Sequence, residues 1–148
     1  MIYEVIGDIL LSKAEAVAHG VAPKPQFWQR VGLALREQRP GMVRDFRHYC
    51  QVSHPKRGEL WSWDGAGGVR IVNLMTQEPA PSHGANQGQA RVEHVNHCLK
   101  ALHQTVDSGK IASVALQKLA TGVKELDWEA VKPFLEKHLG DLWIPVYV

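Results

Sequence analysis

The sequence predicts an α/β protein, a three-layer α/β/α sandwich around a mixed central sheet. Three observations carry that prediction. Segments of strand-like and helix-like pattern alternate along the chain. The apolar run Ile111–Leu116 is bounded by polar residues, as a strand buried on both faces requires. Ala90–Val106 sets Val92, Val95, Leu99, Leu102 and Val106 on one helical stripe. At 148 residues, 45% hydrophobic and 22% charged, the chain suits one domain over 1–148, because a chain of this length buries about 68–70% of its unfolded surface.

The elements follow in order. Ile2–Ile6 reads as a strand closed by Gly7-Asp8, and Glu15–Val21 as a second strand running into a loop with Pro23 and Pro25. From Phe27 the spacing turns helical, with Val31, Ala34 and Leu35 inward and Arg30, Arg36, Glu37 and Gln38 outward. Pro40-Gly41 is expected to stop that helix, and a second one is expected over Met42–Gln51 with Val43, Phe46 and Cys50 inward. Leu60–Trp63 and Val69–Met75 form a hairpin across Asp64–Gly68, whose glycines supply positive φ. Gln77–Gly88, rich in Pro, Gly and Ser, is a long loop of the kind that often carries function. Asp127 caps a helix through His138, bent or short of a hydrogen bond at Pro133, and Leu142–Val148 is the last strand.

Charge and cysteine usage exclude several classes. With 17 basic against 15 acidic residues, the net charge of +2 is too small and too scattered for general nucleic-acid binding. Two cysteines do not make a disulfide framework. No apolar run approaches the roughly 18–20 residues that cross a bilayer, so no membrane association is expected. Met1–Glu4 lacks a basic leader and Asp8 interrupts the apolar stretch after it, so the expected location is the cytoplasm.

Two turns can hold a ligand. Leu119–Trp128 lies between the buried strand and the capped helix, where open α/β sheets bind ligands above their strand ends. Gly122 permits close backbone approach, so the N–H groups there can cradle a phosphate; equally, it is an ordinary strand-to-helix turn. Asp8, just past the first strand, can accept from the exocyclic amine of a base, or it can cap the next turn. Cys50 with His54 and His94 with Cys98 have the spacing of zinc ligands, yet both cysteines fall on apolar faces, where a thiol behaves as a small hydrophobe. No metal and no cofactor is expected. Trp61 and Trp63 share one strand face, and basic residues do not interleave with tryptophan in any one stretch.

Together these segments resemble a macrodomain, the ADP-ribose-binding α/β fold. The resemblance rests on Gly7-Asp8-Ile9, Val17-Ala18-His19, Val31-Gly32-Leu33-Ala34-Leu35, Val72-Asn73-Leu74-Met75-Thr76 and Gly122 through Trp128, in order along nearly the whole chain. It is closest to the branch of terminal ADP-ribose protein glycohydrolase and of the antitoxin that removes ADP-ribose from DNA. Leu126-Asp127-Trp128-Glu129-Ala130-Val131 is especially similar to the latter. The resemblance implies that Asp8 accepts from the adenine amino group, with the Ile9 N–H beside it. It implies that Thr121, Gly122 and Val123 hold the diphosphate through backbone N–H groups. His19, Gly20 and Val21 lead the loop that approaches the distal ribose.

The sequence departs from that branch at the places that do its chemistry. Trp28-Gln29-Arg30 stands where the branch carries a glycine-rich run before the Val31 helix. Gln77 follows Thr76 where the glycohydrolases place a nucleophilic lysine, and an amide can neither attack the ribose nor act as a base. Lys124 stands where the human-type enzyme has an aspartate, and Ala120 replaces a glycine. Arg30 and Lys124 add charge that can strengthen diphosphate binding. The implied function is therefore binding of ADP-ribose or a related nucleotide without lysine-type hydrolysis, the modified carrier being protein or nucleic acid. Two alternatives stay open. One is an ADP-ribosyl hydrolase or ADP-ribose 1″-phosphate phosphatase that activates water through other groups, Glu125 and His19 being the candidates. The other is a macrodomain fold turned to a different ligand or a protein partner.

Overall fold

The computed structural model describes residues 2–5, 7, 9, 13–21, 31–65, 68, 70–76, 92–109, 111–117, 128–142 and 144–148. Among the described residues there are six strands: β1 (Ile2–Tyr3), β2 (Ala16–Val21), β3 (Leu60–Asp64), β4 (Arg70–Met75), β5 (Val114–Leu116) and β6 (Val146–Tyr147). Four helices connect them: α1 (Val31–Gln38), α2 (Pro40–Ser53), α3 (Val92–Gly109) and α4 (Trp128–Leu139). The sheet order is β1-β6-β5-β2-β4-β3, parallel throughout except for β3, which pairs antiparallel with β4 at one edge. The mixed-sheet sandwich expected from the sequence is the architecture found.

Side-chain alternation sorts the strands into two cores. Along β4, Val72 and Leu74 join the cluster beneath α3 and α4, while Ile71 and Met75 join the cluster beneath α1 and α2. The continuous apolar run of β4 follows from burial on both faces. The central position expected for Ile111–Leu116 also holds, since β5 lies between β6 and β2.

Element ends differ from expectation for local reasons. Pro40 does not merely stop α1. It occupies the first turn of α2, where a missing N–H leaves nothing unsatisfied, and Arg39 alone separates the two helices. Met42, Val43, Phe46 and Cys50 form the buried stripe of α2. The helix ends at His54, whose αL backbone (φ 45°) returns its N–H to the Cys50 carbonyl at 3.2 Å. The hairpin turn meets its positive-φ expectation at Gly68 (φ 78°).

β5 begins at Val114 rather than Ile111. The Ile111 N–H still closes the end of α3 on the Val106 carbonyl, and the Ala112 N–H goes to Glu15 Oε2 at 2.8 Å. The last strand shrinks to Val146–Tyr147 because the Leu142 N–H is taken by Leu139 at the exit of α4. β1 is likewise limited to Ile2–Tyr3.

Helix α4 runs through Pro133. A mid-helix proline costs about 3 kcal/mol. Burial of Val131, Leu135 and Leu139, each at most 1% exposed, returns about 1.5–3 kcal/mol apiece. Packing wins. Glu4 also ties α4 to the β1 edge, accepting from Trp128 Nε1 at 3.2 Å and lying 3.5 Å from Lys132 Nζ.

Candidate functional site

Strand β2 is the switch point of the sheet. From β2 the chain passes through α1, α2 and β3 to β4 on one side, then crosses by α3 to β5 on the other. In parallel sheets such a point leaves a crevice at the carboxyl ends of the strands. The register shows where the ladder on one side of β2 ends. β2 pairs with β4 as far as Val21↔Met75, but its pairing with β5 ends at Ala18↔Leu116. The backbone of Gln117 makes the last ladder bond, and its side chain takes over beyond it. Its N–H donates to the Ala18 carbonyl at 3.0 Å, and its Oε1 accepts the Gly20 N–H at 3.1 Å. Gly20 contributes backbone alone at this rim, beside the buried Val21 and Thr76.

One layer below the rim, His19 and Asn73 sit opposite each other in the β2–β4 register, both 0% exposed. Asn73 Nδ2 donates to the Trp61 carbonyl at 3.2 Å, so its Oδ1 faces His19 Nε2 at 2.7 Å. Because that oxygen can only accept, the histidine carries its proton on Nε2. Burial lowers the His19 pKa to about 4, against the opposing effect of the Asn73 hydrogen bond, so the ring is neutral at pH 7. This hydrogen bond joins β2 to β4, and through Trp61 it reaches β3.

The carboxyl ends of β1, β2, β4 and β5 all lie at the same edge of the sheet, because these four strands run in one direction. The sequence-predicted site residues follow those ends. Gly7 (φ 156°) and Ile9, half-buried in a short 3₁₀ turn, come after β1. His19, Gly20 and Val21 end β2, and His19 turns into the core. Asp8, Trp28, Arg30, Thr121, Gly122, Val123, Lys124 and Glu125 lie outside the described residues, as does Gln77, which follows Thr76 after β4.

Two residues at this edge were given no role in the sequence reading. Asn73 carries a signal, being one polar residue inside the run Ile71–Met75, where burial demands a partner. Gln117 carries none, since nothing local separates a glutamine that caps a strand from a solvated one.

The spacing of a zinc site is not realised as a site. Cys50 is buried under α2 and Cys98 under α3, in the two different cores. Burial pushes the Cys50 thiol up to about 11 and the Cys98 thiol to about 12, far from the thiolate that binds metal or attacks a carbon. Among the described residues no group of three His, Cys, Asp or Glu side chains is placed to hold an ion. Among them, too, no helix is long and apolar enough to cross a membrane.

No family model and no curated protein matches the sequence. Solved structures do. The macrodomain of Thermus aquaticus DarG superposes with a TM-score of 0.87 at 24% identity, over 100% of this chain and 97% of that one. The fold is that of a macrodomain. The Mycobacterium tuberculosis DarG macrodomain gives 0.82 at 24% identity, over 99% of this chain and 97% of that one. Thermosipho africanus DarTG, solved in complex with ADP-ribose, gives 0.85 at 16% identity, with 99% of this chain against 40% of that longer one. The α/β/α layering around a mixed sheet is thus that of the macrodomain fold.

Proposed function

We propose that this macrodomain binds ADP-ribose, free or attached to a protein or nucleic acid, in the crevice at the carboxyl ends of β2, β4 and β5, and does not cleave it by the lysine route. The observation that carries the reading is the end of the β2–β5 ladder at Gly20 and Gln117, the level from which the chain leaves β5 toward residues 121–123. Backbone N–H groups of the kind residues 121–123 would offer suit a diphosphate, because they are donors in fixed directions and carry no counter-charge to displace. In the proposal, Asp8 takes the adenine amine and residues 121–123 take the diphosphate. The relationship to DarG-type macrodomains and the ADP-ribose held by DarTG support the nucleotide as ligand.

His19 enters this proposal as a positioning residue. Its neutral ring and its hydrogen bond to Asn73 fix the spacing of β2 and β4 beneath the ligand. A group held neutral at pH 7 with its Nε2 proton committed to an amide oxygen is poorly suited to take a proton from water. Calorimetric titration with ADP-ribose tests the reading. Saturable one-to-one binding is expected, weakened in Asp8→Ala. Absence of binding to the wild-type chain would overturn it and favour a macrodomain fold given over to another ligand.

A further inference from the structure

Where β5 ends, the Gln117 carboxamide is aimed by the backbone of the neighbouring strand. Its Oε1 accepts the Gly20 N–H at 3.1 Å, while the Gln117 N–H holds the Ala18 carbonyl at 3.0 Å. A backbone N–H only donates, so the amide atom that faces Gly20 is the oxygen. The other end of the amide, Nε2 with its two N–H donors, is thereby turned away from that backbone bond.

The strands around it offer these donors little. Gly20 brings no side chain over the amide, and Val21, 2% exposed, is apolar. Among the described residues Nε2 makes no hydrogen bond, and Gln117 is only half-buried. Closing the ladder needs one acceptor oxygen. Glutamine supplies that oxygen and a donor besides.

Position in the sheet says what the donor meets. In the order β1-β6-β5-β2, β5 lies two strand steps from β1, the strand that Asp8 follows in the chain. Strands lie about 4.8 Å apart, so the two steps span roughly 10 Å. That is the reach from the amino group of an adenine to the diphosphate of the same nucleotide. Gln117 leaves β5 directly and leans toward β2, so it falls at the diphosphate and not at the base.

Granted ADP-ribose in the crevice, we infer that Gln117 binds it directly: Nε2 donates to an oxygen of the diphosphate while Oε1 keeps the Gly20 N–H. One side chain ties β2 to β5 and recognises the phosphate, and each hydrogen bond polarises the amide in favour of the other.

Two variants separate these roles. Gln117→Glu keeps an acceptor for Gly20 but has no donor for phosphate. Its melting temperature should stay near that of the wild type, while its ADP-ribose affinity falls about tenfold or more. A glutamine that only closed the ladder would let affinity follow stability, with Gln117→Glu binding as the wild type does and only Gln117→Ala weakened. The loss in Gln117→Glu should persist at about 1 M salt, where the Debye length is roughly 3 Å and through-space repulsion is screened. In the wild type, ADP-ribose should shift the Gln117 side-chain NH₂ pair in amide spectra, a pair identified by its absence from both variants. Phosphorus spectra of bound ADP-ribose should differ between the wild type and Gln117→Ala. Full affinity in Gln117→Glu, a loss that salt removes, an NH₂ pair indifferent to the ligand, or identical phosphorus lines would each overturn the assignment. Failure of the wild type to bind ADP-ribose would take the whole nucleotide site with it, whereas the other failures leave that site standing without Gln117.

Discussion

His19 on β2 donates Nε2–H to Asn73 Oδ1 on β4 at 2.7 Å, with neither side chain reaching solvent. The consequence is a pH-dependent stability. An unfolded histidine titrates near 6.5, whereas the folded one, desolvated, titrates at about 4. Between those values the unfolded chain binds more protons, so stability is full above pH 6.5 and falls as the pH drops toward 4. The difference is on the order of 3 kcal/mol at 1.36 kcal/mol per pH unit. Urea midpoints measured from pH 7.5 to 4.5 should fall in the wild type. They should fall less in His19→Gln, whose amide can still donate to Asn73 but cannot titrate. A parallel decline in both proteins would show that other groups govern the acid response.

Gln117 makes a smaller and more local contribution. Its side-chain oxygen satisfies the Gly20 N–H where β5 no longer does. Gln117→Ala leaves that donor to water at the crevice rim, and the expected loss is about 0.5–1.5 kcal/mol. Gln117→Glu keeps an acceptor and should recover most of it. Thermal unfolding of the three proteins decides, with ADP-ribose titration as a second readout, since a loosened rim should also weaken the ligand.

Gly65 is required by a neighbouring ring. A Cβ there would lie 2.5 Å from the Trp63 indole, and that indole is anchored through Nε1 to Asp45 Oδ2 at 2.8 Å. Gly65→Ala must displace the ring or break the anchor, at a typical overpacking cost of about 1–3 kcal/mol. A lowered melting temperature with a changed tryptophan emission is expected. In Trp63→Leu the same alanine should cost much less, because the clash is gone.

These residues show what the sequence could and could not tell. The sheet was legible because Ile71–Met75 and Ile111–Leu116 are apolar enough to be buried on both sides, and the helices because Val95, Leu99, Leu102 and Val106 recur at helical spacing. Strand limits were not, since they depend on distant partners. Ile111 closes α3, and Glu15 takes the Ala112 N–H across the sheet. The inward turn of His19 depends on Asn73, 54 residues later. The Tyr49–Trp61 ring stack likewise needs α2 and β3 side by side, which no single stretch displays. At the edge where the parallel strands end, Asp8 and residues 121–123 lie outside the described residues, and the Gln117 acceptor left no local trace.

Asp8 carries the adenine half of the proposed site. Loss of a charge-assisted hydrogen bond typically costs about 1.5–3 kcal/mol, or tenfold or more in affinity. Asp8→Ala should therefore weaken ADP-ribose binding at least tenfold, while ribose 5-phosphate, which lacks the base, should bind both proteins alike. Equal ADP-ribose affinities would remove the adenine assignment.

The last prediction concerns cleavage. The lysine route needs an amine that attacks the ribose C1″ carbon and a carboxylate that manages the proton. In the proposed site, Gln77 would supply an amide and Lys124 an ammonium in the corresponding places. His19, neutral and committed to Asn73, does not replace them. Incubation with ADP-ribosylated peptide and with thymidine-modified DNA should release little or no free ADP-ribose, and borohydride should trap no adduct at position 77. Robust turnover abolished by Glu125→Gln would instead assign the chain as a hydrolase working through activated water. Gln77→Lys sharpens the test. If geometry at the end of β4 is otherwise that of the glycohydrolases, this variant should gain a trappable adduct with ADP-ribosylated substrate even though Lys124 leaves its turnover slow. Failure to trap one, with ADP-ribose still bound, would show that the Thr76–Gln77 edge does not face the ribose.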